Sequence, residues 1–275
     1  MIIGINVVLK LVVVKIIDAV GCDTQSSEMS FVMMAVFITT LFNTGFLLLI
    51  VNGNLEEQKS IPFHRLMTGD LSDFNQQWFE NMGTVIIGSM QLNIVMPVIL
   101  ETSAACIRGA KRLLDYVKRG KDTTTSTKTI QAYINLYAGP EYFLHAKYSS
   151  ILTITYIAMI YGTGMPVLFV IAALSLFTLF IVEKYAIYYI YKAPPAYDEK
   201  LNNKALKMLG IAPMFLLAFG FWILTNNQLI HNHHLKLRED TDDPFQAGHV
   251  WYSVFTYQGV KDSECAIFLL ILLFI

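Results

Sequence analysis

Charge is what this 275-residue chain has least of: Asp, Glu, Lys and Arg make up 15% of it. A soluble domain holds nearer a quarter, so a water-facing surface over the whole molecule is excluded. Net charge is −1, which gives no footing for nucleic acid. Cysteine is scarce too. Cys22, Cys106 and Cys265 are odd in number and far apart, and this fits neither a disulfide framework nor a metal site. There is no phosphate-binding Gly-Lys-Ser/Thr loop, nucleophile elbow or zincin helix, so the common signatures of enzymes are missing. The segment after Met1 never reaches a small-residue cleavage site, which argues against a signal peptide.

Hydrophobic residues are abundant, at 55% of the chain. They come in blocks long enough to cross roughly 30 Å of hydrocarbon, which takes about 20 helical residues. The expected fold is therefore all-α, a polytopic transmembrane helical bundle with about six complete spans and a truncated seventh. The spans are expected at residues 2–20, 29–51, 78–100, 148–161, 165–190, 205–225 and 265–275. The last apolar run, AIFLLILLFI, is half a span long, and the chain is expected to be part of a larger protein. Between spans four and five, YGTGMP supplies Gly162, Gly164 and Pro166, residues suited to a tight reversal. The third block runs on as a basic amphipathic helix, then a linker, over residues 101–147. Residues 226–264 form a polar loop.

Orientation follows from the basic residues. Alternating the spans puts eight Lys or Arg of residues 108–147 and five of residues 184–207 on one side, and five on the other. Thirteen against five places the first set in the cytosol and the loop at 226–264 outside. The basic helix after residue 107 is positive-inside sequence, and it also suits anionic inner-leaflet lipid.

Polar residues inside spans are costly and mark pathways or partners. Lys10 lies in the middle of the first block, facing either a hydrophilic path or an interface. Asn43 sits in LFNTGF. In the third block Ser89, Asn93, Pro97 and Glu101 recur every four residues, on one slowly rotating stripe, with Gln91 away from it. Uncharged members of such a set often bond only a neighbouring helix; together, on two neighbouring helices, they favour a hydrated path. Gly83 and Gly88 are hinge points or close-packing points. The run of His231, His233 and His234 lies in a loop without nearby cysteine, and reads as an exposed polar segment rather than a metal site.

Six strings occur in order: CDTQSSEMS, LFNTGF, DFNQQWFENMG, YAGPEYFLHAKYSSIL, YGTGMPVLF and YKAPPAYDEKL. This order resembles the seven-span region of the OSCA-type stress-gated cation channels, relatives of the anoctamins, in its divergent protist versions. The similarity runs over residues 10–225. It implies a calcium-permeable, mechanically or osmotically gated channel of the plasma membrane, with permeant cations and membrane lipids as partners. It also implies a homodimeric assembly and no cofactor. The path would be lined by the first four spans, with Lys10, Asn43, Ser89, Gln91, Asn93 and Glu101 as candidates. The third span would be the gating helix, with Gly83, Gly88 and Pro97 as hinges. The family's earlier spans and large cytosolic domain are missing from this sequence. Its acidic pore residues have no one-for-one match; Glu101 is carried either as lining or at the cytosolic mouth. Two other functions compete: a phospholipid scramblase, as some anoctamins are, and a secondary transporter, which the lack of an internal repeat disfavours.

Overall fold

The computed structural model of the protein describes residues 12, 15–16, 25–47, 76–118, 129–192 and 199–224. Every described secondary-structure element is helical. Helix α1 (Gln25–Leu41) carries Glu28 in its first turn, where a carboxylate complements the helix dipole, and runs into a π-helical segment at Phe42–Phe46. A short helical turn at Gln76–Trp78 leads through a second π segment, Phe79–Gly83, into α2 (Thr84–Lys118). Then come α3 (Ile130–Tyr137), α4 (Leu144–Tyr161), α5 (Val167–Tyr189) and α6 (Glu199–Leu224).

Four stretches are long and apolar enough to cross a membrane: Ser26–Phe46, Phe79–Lys118, Val167–Tyr189 and Glu199–Ile223. The protein is an all-α membrane bundle. The expected span at 265–275 and the loop at 226–264 lie outside the described residues, as does most of 2–20.

Helix α4, expected as a span over 148–161, is not among those four stretches, and it lies among its neighbours. It packs against α1, α5 and α6, and Leu152, Ile157, Ile160 and Tyr161 are almost wholly buried. Its hydroxyls bond back to its own carbonyls: Ser149 to Ala146 at 2.9 Å, Thr153 to Ser149 at 2.8 Å, Thr155 to Ile151 at 2.9 Å. Away from water such groups need a partner, and the preceding turn supplies one. Tyr156 ties α4 to α6 by donating to the Met208 carbonyl at 2.6 Å, and its ring meets Phe37 of α1 edge-on at 4.9 Å.

Helix α5 shows the inside-out pattern of a lipid-exposed span. Its inner seam, Ile171, Ala172, Ser175, Leu179, Glu183 and Ala186, is buried, while Val170, Leu174, Phe177 and Phe180 face outward. Small Ala172 and Ser175 allow a close neighbour, and α2 packs along α5. At the far end Tyr185, Tyr188 and Tyr189 are exposed, in the manner of an interfacial aromatic belt.

Helices α4 and α5 are joined by the tight reversal at residues 162–166. Tyr161 accepts from Gly164 and Met165, at 3.1 and 2.9 Å, closing the turn. A side chain on Gly162 would strike the Ala158 carbonyl and the Phe169 ring, so the turn needs glycine there. Both π segments gather at this end. The Tyr161 hydroxyl donates to the Gly45 carbonyl at 2.8 Å, Trp78 stacks on Tyr161 at 5.9 Å, and Phe79 lies over Gly164.

Candidate functional site

The chemistry concentrates at the opposite end of the bundle. Lys147, in the first turn of α4, places its ammonium between two carboxylates: Glu101 of α2 at 2.9 Å and Glu183 of α5 at 2.5 Å. Side-chain exposure is 22% for the lysine and 11–12% for the acids, so the three charges are largely withdrawn from water. Two tyrosines close the cluster. Tyr191, just past α5, donates to both oxygens of Glu101 at 2.7 and 2.9 Å. Tyr142, just before α4, turns its hydroxyl on Glu183 and packs edge-on against Tyr191 at 5.1 Å. Burial, then the neighbouring carboxylates, push both phenols well above their ordinary range. Both stay protonated and act as donors.

Helix geometry puts these residues together. Glu183 continues the buried seam of α5, eight residues on from Ser175. Glu101 lies on the inner face of α2, and steps of seven bring Arg108 and Asp115 beneath it, near two full turns apart. Asp115 is buried and accepts from the Tyr137 hydroxyl at 2.9 Å. Arg112, on the same side, donates to the Leu136 and Tyr137 carbonyls at 3.1 Å each. Those bonds hold α3, whose own start is capped by Thr129 accepting from Ala132 at 3.3 Å. Arg108 has a buried Nη2 with no hydrogen-bond partner among the described residues, and its charge reaches Tyr191. Two acids, one lysine and one arginine leave the region formally neutral, as burial requires.

The segments before α4 and after α5 are locked to each other. Lys192 donates its N–H to the Pro140 carbonyl at 3.2 Å, and its ammonium pairs with exposed Glu141 at 2.7 Å. Gly139 lies directly against the backbone of residues 190–192.

Compared with family models, curated proteins and solved structures, this chain matches none.

The structure separates the residues singled out in the sequence. Glu101 is buried in the cluster, about 27 Å along the helix from Gly83 at 1.5 Å per residue. A four-residue step over-rotates a 3.6-residue helix by about 40°. Ser89 and Asn93 accordingly sit half-buried at the flank of the packed face, Pro97 nearer its middle and Glu101 within it. Ser89 bonds its own Ile86 carbonyl at 2.8 Å, and the Asn93 amide reaches Met90 Sδ at 3.7 Å. Pro97 has no N–H to offer the Asn93 carbonyl. Gln91 is exposed on the other flank. Asn43 is buried in the first π segment, at the reversal end, and Lys10 lies outside the described residues, as does the HNHH run.

Of the hinge candidates, Gly83 ends the second π segment and a side chain there would come within 2.9 Å of Met165 Sδ, whereas Gly88 has open space around it. Gly88→Ala is therefore expected to stabilise α2 by about 0.5–1 kcal/mol through helix propensity alone, measured by unfolding in mixed micelles. A loss of stability there would show that Gly88 holds a strained or bent backbone.

Lys147, Glu183, Tyr142 and Tyr191 were not singled out from the sequence. One signal was present: Glu183 is a carboxylate inside an apolar run, and such a residue calls for a named partner.

Proposed function

We propose that the protein is a mechanically or osmotically gated cation channel of the plasma membrane, with α2 as the moving element. The observation that carries this reading is the Glu101–Lys147–Glu183 cluster, which ties the long helix α2 to α4 and α5 through charges at one end. Such a contact is either made or broken, and a discrete switch of that kind suits a gate. Helix α2 packs along α5 and α3, while α1 packs with α4 and α6, so α2 stands at the side of the bundle. The π segment, Pro97 and the Ser89–Asn93 flank give it places to bend and a polar edge to line a path that is closed by dewetting at rest. The resemblance to OSCA-type channels supports the same reading. By the thirteen-to-five count of basic residues, the cluster lies at the cytosolic end.

A phospholipid scramblase is the second reading, favoured by one observation: Gln91 is exposed midway along an apolar span, where a polar side chain would face a lipid furrow.

Stepped suction on excised patches tests the first reading. Stretch-evoked cation currents are expected, absent from control patches. Glu101→Gln removes one ion pair holding α2, and a bias of about 1.4 kcal/mol toward the open state would raise the open fraction at fixed low tension about tenfold. Asn93→Ala is expected to alter unitary conductance instead. Silence at every tension, with surface protein confirmed, would overturn the channel and leave scrambling of labelled phospholipid in vesicles as the assay to run.

A further inference from the structure

The stretch Phe79–Lys118 is 40 residues long, about 60 Å at 1.5 Å per residue, twice the thickness of the hydrocarbon core. Its second half should therefore be outside that core and, were it in water, should turn polar residues outward. It does the opposite. At 100° per residue, the inward side of residues 101–118 carries Glu101, Arg108, Arg112 and Asp115, and these meet Lys147, the Tyr191 region and α3. The outward side is apolar: Ile107 is 57% exposed, Leu113 64%, Leu114 59%, Tyr116 69% and Val117 68%. Helix α3, which has no charged residue, adds Ile130 at 82%, with Tyr133 and Ile134 also open.

Charge settles what covers this face. Asp115, the one carboxylate in residues 102–121, is buried and bonded to Tyr137. Lys111 and Lys118 are exposed along one margin of the apolar face, and the sequence continues with Arg119 and Lys121. An apolar surface with cations at its border and its only acid turned inward is complementary to an anionic membrane surface. A second protein surface would need no such one-sided border. The geometry points to residues 102–118 and α3 as an interfacial unit, lying in the headgroup region of an anionic leaflet. Its apolar side rests on acyl chains, and Lys111 and Lys118 rest on lipid phosphates. This assignment stands whether or not α2 gates a pore.

Spin-label accessibility on the full chain tests it, in nanodiscs of phosphatidylcholine with phosphatidylserine and of phosphatidylcholine alone. Cys22, Cys106 and Cys265 are replaced by serine, and one label is introduced at a time by Leu113→Cys or Val117→Cys. Phe177→Cys on the outward face of α5 serves as the lipid-facing standard. All three positions are exposed, so the fold should tolerate the changes. In discs with phosphatidylserine, labels at 113 and 117 are expected to relax with dissolved oxygen more than with a nickel chelate, as at 177. That ratio should fall severalfold at 113 and 117, but not at 177, without phosphatidylserine or with Lys111→Gln and Lys118→Gln combined. Relaxation dominated by nickel would place the face in water and overturn the assignment. Shielding from both reagents would show a protein cover, a second copy or another part of the chain, and would also overturn it. Oxygen dominance that ignores phosphatidylserine would refute the anionic-lipid contact.

Discussion

Replacing Lys147 with methionine is expected to cost the folded protein about 3 kcal/mol, the lower part of the range for breaking a buried ion pair. The stem of the side chain is kept, so packing changes little. What is lost is the ammonium that lies between Glu101 and Glu183, whose side chains are just 11–12% exposed. Two carboxylates would then lie together in a largely dry site, beside the tyrosine hydroxyls and the Arg108 charge, without the ammonium that pairs with both. The lysine's 22% exposure leaves some water access, which sets the lower figure. Restoring neutrality should restore much of the lost stability: Lys147→Met with Glu183→Gln leaves one acid, Glu101, to one cation, Arg108, and is expected to unfold closer to the parent than Lys147→Met alone. Glu183→Gln alone leaves a one-to-one pair of Lys147 with Glu101 and should cost within about 1 kcal/mol. Unfolding in mixed micelles, followed by circular dichroism, measures all three. If every variant costs equally little, the cluster is screened like a surface pair and cannot hold α2.

Gly139→Ala should be nearly as severe, for a steric reason. The added carbon would collide with the Ile190 carbonyl and come within 2.5 Å of Lys192 N and 2.7 Å of the Tyr191 carbonyl carbon. These are backbone atoms and cannot swing aside. The two segments must separate, which breaks the Lys192 to Pro140 bond and draws Tyr191 away from Glu101. Overpacking of about 1–3 kcal/mol adds to about 1 kcal/mol for a lost hydrogen bond. Gly109→Ala, in open space on α2, is the control and should not destabilise. If the damage runs through Tyr191, then Tyr191→Phe will add little on top of Gly139→Ala, since coupled sites are not additive. Full additivity would mean that the collision never reaches the cluster.

The helical class and the membrane setting were legible from composition and block length, because the bilayer demands long apolar helices. The reversal was legible because Gly162, Gly164 and Pro166 interrupt an apolar run too long for one span. The cluster was not, for a different reason. Its members come from positions 101, 142, 147, 183 and 191, and only tertiary packing brings them to one point. Glu101 was visible as the end of a polar stripe, yet the sequence could not show that Lys147 holds it. Gly83 and Gly88 look alike in sequence; their surroundings differ, one pressed on Met165 and the other open. The first π segment also escaped notice, since its Gly45 carbonyl is taken up by Tyr161 from another helix.

The polarity of α4 has a consequence for how the protein is made. A helix carrying Lys147, His145 and several hydroxyls is a poor substrate for a translocon that sorts segments one at a time by partition into lipid. Helix α5, richly apolar and only a five-residue turn away, partitions readily. The two are expected to be released together as a hairpin, α5 drawing α4 in after it, with Lys147 reaching the bilayer already facing Glu183. In that sequence of events the ion pair with α5 forms during synthesis, before the bundle is complete.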